Sequence, residues 1–192
     1  MPDSHSTKDY DLKIIEEAIG GVALLEPKVF GDERGFFFES YNEREFAKLG
    51  LPTTFAQDNH SGSRKGVLRG IHYQLQKPQG KLVRVLRGEV FDVAVDLRRR
   101  SATFGRWYGA TLSAENRRLL WVPPGFGHAF LVLSEFAEFA YKATEFYAPE
   151  HERTIQWNDR ALGVNWPVEG EPILSGKDAV GMALDDAQVF DA

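Results

Sequence analysis

The sequence predicts a single all-β domain of the sandwich, jelly-roll or barrel type. Short runs rich in Val, Leu, Phe and Tyr alternate with polar residues and end at Gly, Pro, Asp or Ser, as in half-buried strands. The chain uses 14 Phe against 2 Met, which favours aromatic packing between sheets over a helical bundle. Only two segments have a helical pattern. Many short strands within 192 residues therefore predict one β-rich domain.

The predicted strands follow one another along most of the chain. The runs are GVALLEPKVF, RGFFFES, KLVRVLRG, EVFDVAVDL, RWYGATLS, RLLWVPPG and HAFLVLSEFAEFAYKATEFY. The segment LRGEVFDV predicts a hairpin that turns near Arg87 and Gly88, because Gly tolerates positive φ. The segment VPPGFGHAF predicts a tight turn between strands, since Pro123 and Pro124 cannot donate ladder hydrogen bonds.

Two short helices complete the predicted elements. NEREFAKLG begins at Asn42, which can cap a helix, and ends at Gly50, with Phe46 and Leu49 on one side. SGKDAVGMALDDAQ is a second candidate that Gly interrupts. There is no repeat, low-complexity tract or linker. We therefore expect one domain over residues 1–192, with a polar lead at 1–12 and a C-terminal tail from about 170 to 192.

Composition excludes several classes of function. The absence of cysteine excludes disulfides, zinc fingers and thiol nucleophiles and fits a reducing, cytoplasmic setting. The N-terminal segment is polar and lacks the apolar run of a signal peptide, and no apolar run reaches the roughly 18–20 residues that span a bilayer. A net charge of −5 argues against nucleic-acid binding. We expect neither a membrane nor a nucleic-acid partner, whereas an anionic small molecule would need a local basic cluster.

The stretch GVLRGIHYQLQKPQGK at 66–81 has the pattern of a strand, a loop and a second strand, and a histidine lies inside the apolar pattern of the first strand. A single strand histidine such as His72 is usually a satisfied core or edge residue. Arg69 and Lys81 lie near it in sequence, but regular alternation places Arg69 and His72 on opposite faces. Both can reach one pocket only if the strand is irregular, and Gly70 between them is a natural place for a bulge.

The order of several motifs resembles one enzyme family. The motifs are DERGFFFES, FAQDNHSGSRKGVLRGIHYQ, QGKLVRVLRGEVFDVAVDLRRRSATFG, LSAENRRLLWVPPGFGHAFLVLSE, FAYKATEFYAPEHERTIQWND and LSGKDA, spanning about 22–178. In this order they resemble the dTDP-4-dehydrorhamnose 3,5-epimerases, sugar-nucleotide epimerases of the cupin superfamily. The resemblance implies a double-stranded β-helix, or jelly roll, and a homodimer. It also implies epimerisation at C3 and C5 of a dTDP-linked 4-keto-6-deoxyhexose, without metal or other cofactor.

The resemblance implies a catalytic role for four residues. Removing a proton α to a ketone needs a base and a stabilised enolate, and inversion needs an acid on the opposite face. His72 matches the family's base, and Asp178 matches the partner that raises its basicity. Tyr141 matches the proton donor and Lys81 the cation at the enolate. Without the resemblance, Asp178 would be interpreted as a solvent-exposed acidic residue of the C-terminal tail, and Lys81 as a solvent-facing lysine.

The resemblance also implies a set of substrate-binding residues. Arg34 and Arg69 match diphosphate ligands, for which the guanidinium fork is suited. Tyr147 matches the residue that stacks on thymine, and His128 a second contact to the sugar. In an unbroken strand Tyr141 and Tyr147 share a face, although two ordinary core tyrosines fit the same pattern. The remaining matches are Glu39, Gln57, Asp58, Asn59, Glu152 and Lys177.

Three alternatives remain at this point. A metal-dependent cupin would place a second histidine where Gln74 stands, and His128 is then the only later histidine in a strand context. A binding module without activity would not need both His72 and Tyr141. An epimerase that inverts only C3 or only C5, from a secondary-metabolite deoxysugar pathway, would retain the base and the acid. We predict a 3,5-epimerase that converts dTDP-4-dehydro-6-deoxy-D-glucose to dTDP-4-dehydro-L-rhamnose, in dTDP-L-rhamnose biosynthesis.

Overall fold

The computed structural model describes residues 11–168 and 170–192, so positions 1–10 of the predicted polar lead lie outside it. Thirteen strands are formed in this part of the chain. They are β1 (Leu12–Glu17), β2 (Ala23–Pro27), β3 (Phe30–Asp32), β4 (Gly35–Phe37), β5 (Gln57–Arg64), β6 (Leu68–Gln74), β7 (Lys81–Arg87), β8 (Glu89–Asp96), β9 (Trp107–Ser113), β10 (Leu119–Val122), β11 (Phe126–Val132), β12 (Phe136–Ala143) and β13 (Glu152–Thr154). The helices are α1 (Glu43–Lys48) and α2 (Gly176–Ala179), with 3₁₀ turns at Ile19–Gly21, Pro149–His151 and Leu184–Asp186.

The strands form two large sheets and a small hairpin. The six-stranded sheet has the order β1-β2-β10-β7-β12-β5, and the five-stranded sheet has the order β13-β6-β11-β8-β9. Every strand pair in them is antiparallel, and β3 pairs with β4 apart from both. The predicted all-β, jelly-roll class with a few short helices is confirmed.

The predicted hairpin near Arg87 and Gly88 is wrong. β7 pairs with β10 and β12, whereas β8 pairs with β9 and β11 in the other sheet. Gly88 has φ +75° and lies against the carbonyl of Phe136, so the chain crosses between the sheets here instead of folding back on itself. The predicted tight turn after Pro123 does form, and it too leads from one sheet to the other.

We expect Gly88→Ala to lower the free energy of unfolding by at least about 3 kcal/mol, through positive φ and the clash with the Phe136 carbonyl. Gly105→Ala is the matched control, because Gly105 has φ +72° but a methyl group added there would meet Leu184 only at an ordinary contact distance of 3.5 Å. It should lose about 1 kcal/mol. Urea unfolding of both variants checks this, and equal losses would contradict the steric argument.

The hydrophobic core fills the space between the two sheets. Phe130 of β11 and Phe139 of β12 stack with ring centroids 4.1 Å apart, so they join the sheets directly. Each outer face is also covered. Phe46 of α1 packs on the six-stranded sheet, and the C-terminal segment with Leu162 and Trp166 packs on the five-stranded sheet. Strands β10 and β11 are consequently buried on both faces, without the predicted alternation.

The first predicted helix is confirmed and the second is largely wrong. Asn42 caps α1 by accepting hydrogen bonds from the backbone of Arg44 and Glu45. In the second candidate only α2 and the turn at Leu184–Asp186 are helical. Between them Met182 exchanges backbone hydrogen bonds with β13 and the residues after it, so tertiary pairing overrides the local preference. No helix within the described residues has the length and apolarity needed to cross a membrane.

Candidate active site

A cavity of about 560 Å³ opens between the two sheets, within the usual size of ligand pockets. One wall comes from the inner face of the five-stranded sheet and the other from the six-stranded sheet. The C-terminal segment around α2 closes one side, and Phe130 and Phe139 contribute apolar surface. All four predicted catalytic residues line this cavity.

His72 and Asp178 form a hydrogen-bonded pair in the wall. Nε2 of His72 lies 2.5 Å from Oδ1 of Asp178, which is only 3% exposed. Burial alone would raise the pKa of the Asp178 carboxyl, but the hydrogen bonds from His72 and Ser175, together with nearby positive charge, lower it. An ionised Asp178 accepts a hydrogen bond from Nε2–H of His72. In the neutral imidazole this leaves Nδ1 as the nitrogen without a proton, which can act as the base. The predicted pair is therefore assembled in the structure.

The strand irregularity predicted at Gly70 is present. The ladder between β6 and β11 shifts register between His128 and Phe130, opposite the segment from Arg69 to His72. Gly70 has φ +122° and lies so close to Ala129 that a side chain would overlap it. Arg69 and His72 consequently both line the cavity, and Nε of Arg69 donates to Oγ of Ser63 at 3.1 Å.

Tyr141 and Lys81 stand on the facing wall, in neighbouring strands β12 and β7 of the six-stranded sheet. The Lys81 ammonium lies 5.6 Å from the centroid of the Tyr141 ring. Burial, and to a smaller extent Glu152, raises the pKa of Tyr141, so the phenol keeps its proton near neutrality. Burial lowers the pKa of Lys81 to about 8, against the opposing effect of Glu152 and Asp92. Lys81 is thus a cation at neutral pH that loses its charge under mildly alkaline conditions.

His128 and Asp92 form a second histidine–carboxylate pair. The sequence predicted His128 as a site residue but not Asp92. Asp92 of β8 is fully buried, and its two oxygens lie 2.9 and 3.0 Å from Nε2 of His128. The available signal was an Asp within the apolar run EVFDVAVDL, because a buried carboxylate requires a partner. The pair fixes the His128 ring, which lines the cavity.

The mouth of the cavity holds a polar cluster of Tyr147, Glu152 and Lys177. Glu152 accepts hydrogen bonds from the Tyr147 hydroxyl at 3.0 Å and from Lys177 at 2.8 Å. Burial would raise the Glu152 pKa, but these two bonds lower it. Strand β12 ends at Ala143, so the predicted unbroken strand to Tyr147 is wrong. Tyr147 reaches the cavity from the loop, where its N–H donates to Gln57 at 2.6 Å.

The predicted binding residues divide into two groups. Seven line the cavity, namely Gln57, Asn59, Arg69, His128, Tyr147, Glu152 and Lys177. Arg34, Glu39 and Asp58 lie outside its lining within the chain. Arg34 pairs with Asp32, Glu39 accepts a hydrogen bond from the Asn42 amide at 2.6 Å, and Asp58 pairs with Lys142 at 3.0 Å. Their part in substrate binding stays a prediction.

Gln74 stands where a metal-binding cupin would have its second histidine. Its amide donates to the carbonyls of Lys77 and Phe146 and accepts from the N–H of Ala148. Across 11–168 and 170–192, no group of three or more acidic or histidine side chains is arranged to hold a metal ion. The cavity instead presents a histidine base, a phenol and several cations, which suit proton transfer beside a carbonyl.

Comparison with known proteins agrees with this chemistry. The sequence model of the dTDP-4-dehydrorhamnose 3,5-epimerase family matches residues 16–186. Relatives with that name from Pseudomonas aeruginosa and Salmonella typhimurium are 61% and 60% identical, over 93% and 91% of this chain and 99% and 96% of theirs. A crystal structure of a dTDP-6-deoxy-D-glucose-3,5-epimerase from Legionella pneumophila, in complex with dTDP-4-keto-L-rhamnose, superposes with a TM-score of 0.89. It is 51% identical over 92% of this chain and 95% of its own.

Proposed function

This chain belongs to the dTDP-4-dehydrorhamnose 3,5-epimerase family, and we propose that its two-walled cavity carries out the reaction with the acid and the base on opposite sheets. The enzyme inverts C3 and C5 of dTDP-4-dehydro-6-deoxy-D-glucose and so forms dTDP-4-dehydro-L-rhamnose. The observation that carries the mechanism is the placement of the His72–Asp178 pair on one wall and Tyr141 on the other.

His72 acts as the general base. Its Nδ1 takes the proton from the carbon next to the C4 ketone, and the electrons of the broken C–H bond move onto the ketone oxygen as an enolate. Asp178 stabilises the imidazolium that results. The Lys81 ammonium stabilises the enolate oxygen, since a preformed charge in a partly dry cavity requires little reorganisation.

Tyr141 acts as the general acid. Its phenolic proton passes to the same carbon from the opposite face, which inverts the centre, and the phenolate regains a proton from solvent as His72 loses one. The raised pKa of Tyr141 supports this role, because the group stays protonated until the enolate forms. A second round at the other α-carbon completes the double inversion.

The nucleotide half of the substrate needs cations and an aromatic surface. Arg69 and Lys177 line the cavity and supply the local positive charge for a diphosphate that the net charge of −5 does not. Tyr147 is 53% exposed at the mouth, which leaves a ring face available for thymine. Its hydrogen bond to Glu152 holds the ring in place.

We further propose a cytoplasmic homodimer that works without a metal or other cofactor. Phe36 and Phe37 of the β3–β4 hairpin are 61% and 55% exposed, and adjacent exposed aromatic side chains are typical of a protein–protein contact. A second copy covering this hairpin would bury it. Light scattering on the purified protein gives the mass, and elemental analysis gives the metal content.

Deuterium incorporation tests the proposed reaction directly. The protein is incubated with dTDP-4-dehydro-6-deoxy-D-glucose in D₂O, and label is located by NMR and mass spectrometry. Label at both C3 and C5 is expected. Label at one carbon would identify a mono-specific epimerase, and no label would contradict the proposed reaction.

The titration of Lys81 predicts an alkaline limit to catalysis. Its pKa of about 8 means that the cation is complete below that pH and is lost as the pH rises through it. We expect kcat/KM, which reports the free enzyme, to fall above an apparent pKa near 8. Lys81→Arg keeps the charge at higher pH and should move this limb upward. Tyr141→Phe should retain it, and a limb that disappears with Tyr141 would contradict the assignment.

A further inference from the structure

The orientation of the Asp178 carboxylate depends on more than His72. The carboxylate is buried on α2, a helix of one turn, where few helical hydrogen bonds constrain it. Its two oxygens have different partners. Oδ1 faces Nε2 of His72, and Oδ2 accepts a hydrogen bond from the hydroxyl of Ser175 at 2.7 Å.

Ser175 contacts Asp178 twice. Its Oγ accepts the backbone N–H of Asp178 at 3.2 Å while its O–H donates to the carboxylate. A serine hydroxyl has one proton and two lone pairs, so it makes both bonds at once. Together the two bonds fix the backbone and the side-chain rotation of Asp178, because each end of the residue is held by the same oxygen.

The backbone on either side of α2 is anchored to the five-stranded sheet region. Ile173 exchanges hydrogen bonds with Gly66 and Leu68 at the start of β6, at 2.7 and 3.0 Å. After the helix, the N–H of Met182 donates to Thr154 of β13 at 2.9 Å. These bonds place α2 beside β6. The direction of the carboxylate within the turn is then set by the Ser175 hydroxyl.

We propose that Ser175 is a positioning residue, which holds Asp178 so that the carboxylate faces Nε2 of His72 and leaves Nδ1 as the base. This inference rests on the proposed function of the His72–Asp178 pair. Ser175 does not transfer a proton itself. Its hydroxyl prevents the carboxylate from rotating and keeps Oδ2 hydrogen-bonded in a buried site.

The first test replaces the hydroxyl and then restores it. Ser175→Ala should lower kcat about tenfold and change KM less than about twofold, because the carboxylate bond acts on the chemical step. Ser175→Thr retains the hydroxyl and should recover most of kcat. Unchanged kcat in Ser175→Ala would overturn the inference, since water would then serve Oδ2 equally well.

A double-mutant cycle shows whether Ser175 acts through Asp178. In the Asp178→Ala background, the Ser175→Ala change should cost no further activity, because there is no carboxylate left to orient. The full tenfold loss in that background would overturn the inference. Ser134→Ala is the control. The Ser134 hydroxyl likewise makes two bonds, donating to the Phe136 carbonyl and accepting the Glu89 N–H, but it lies outside the cavity lining, so its removal should leave kcat unchanged.

The cycle separates the two proposals. If Asp178→Ala is slow and Ser175→Ala is as fast as the unmodified protein, only the role of Ser175 fails. If Asp178→Ala is itself as fast as the unmodified protein, the His72–Asp178 mechanism fails and the inference fails with it. Thermal melting of each variant identifies losses that come from unfolding.

Discussion

His72→Ala should abolish deuterium incorporation at both C3 and C5, with turnover reduced at least about 10³-fold. In the proposed mechanism the same imidazole serves both α-carbons. The cavity also holds the His128–Asp92 pair, so loss of label at both carbons in His72→Ala would assign the base to His72 and not to His128. NMR detection of label in D₂O measures the loss at each carbon separately. Added imidazole should restore part of the exchange, because the vacated space can admit the free base.

His60→Ala is the matched control for this experiment. His60 is also a strand histidine beside a carboxylate, 3.2 Å from Glu138, but it lies outside the cavity lining. It should exchange label at the rate of the unmodified protein. If His72→Ala still exchanged one of the two carbons, a second base would be needed for that carbon, and a single-base mechanism would be wrong.

Tyr141→Phe should separate exchange from inversion. His72 can still remove the proton, exchange it with solvent and return deuterium to the same face. Labelled substrate of unchanged configuration should therefore accumulate, while inversion falls about 10²–10³-fold for want of an acid on the opposite wall. NMR coupling constants distinguish the configurations, and mass spectrometry counts the label.

The control for Tyr141 is Tyr108→Phe. Like Tyr141, Tyr108 is a partly buried strand tyrosine packed against the core between the sheets. Its hydroxyl donates to Glu16 at 2.8 Å, and it lies outside the cavity lining. Both exchange and inversion should persist in that variant. An equal loss of exchange and inversion in Tyr141→Phe would argue that the phenol supports enolate formation instead of delivering the second proton.

Local patterns predicted the strands and one helix, because alternation and capping act over a few residues. The Asn42 cap and the irregularity at Gly70 were both available from sequence. The crossing at Gly88 was not, since a glycine turn between two strands looks the same whether the strands pair or pass into different sheets. The middle of the helix expected from 175 to 188 is not helical, because Met182 pairs with β13, which is distant in sequence.

The candidate site depended on the family resemblance more than on periodicity. His72 and Asp178 are 106 residues apart in the sequence, and nothing in the sequence pattern indicates that they are in contact. Asp92 was the exception, because an acid within an apolar strand is a signal in its own right. Arg34 and Asp58 match the family motifs but lie outside the cavity lining, because a motif match does not say where a side chain points. Asp58 lies on the opposite face of β5 from Gln57 and Asn59, as strand alternation requires.

The stacked rings of Phe130 and Phe139 have a consequence for how this enzyme can vary. Each ring belongs to one wall of the cavity that holds His72 and Tyr141, and the two walls touch where the rings stack. A smaller side chain at either position would leave the polar residues intact and still alter the span that the sugar must bridge. Selection on activity would then act on Phe130 and Phe139 as it acts on the catalytic residues. Substitutions at these two core positions are limited by the width of the cavity as well as by the stability of the fold.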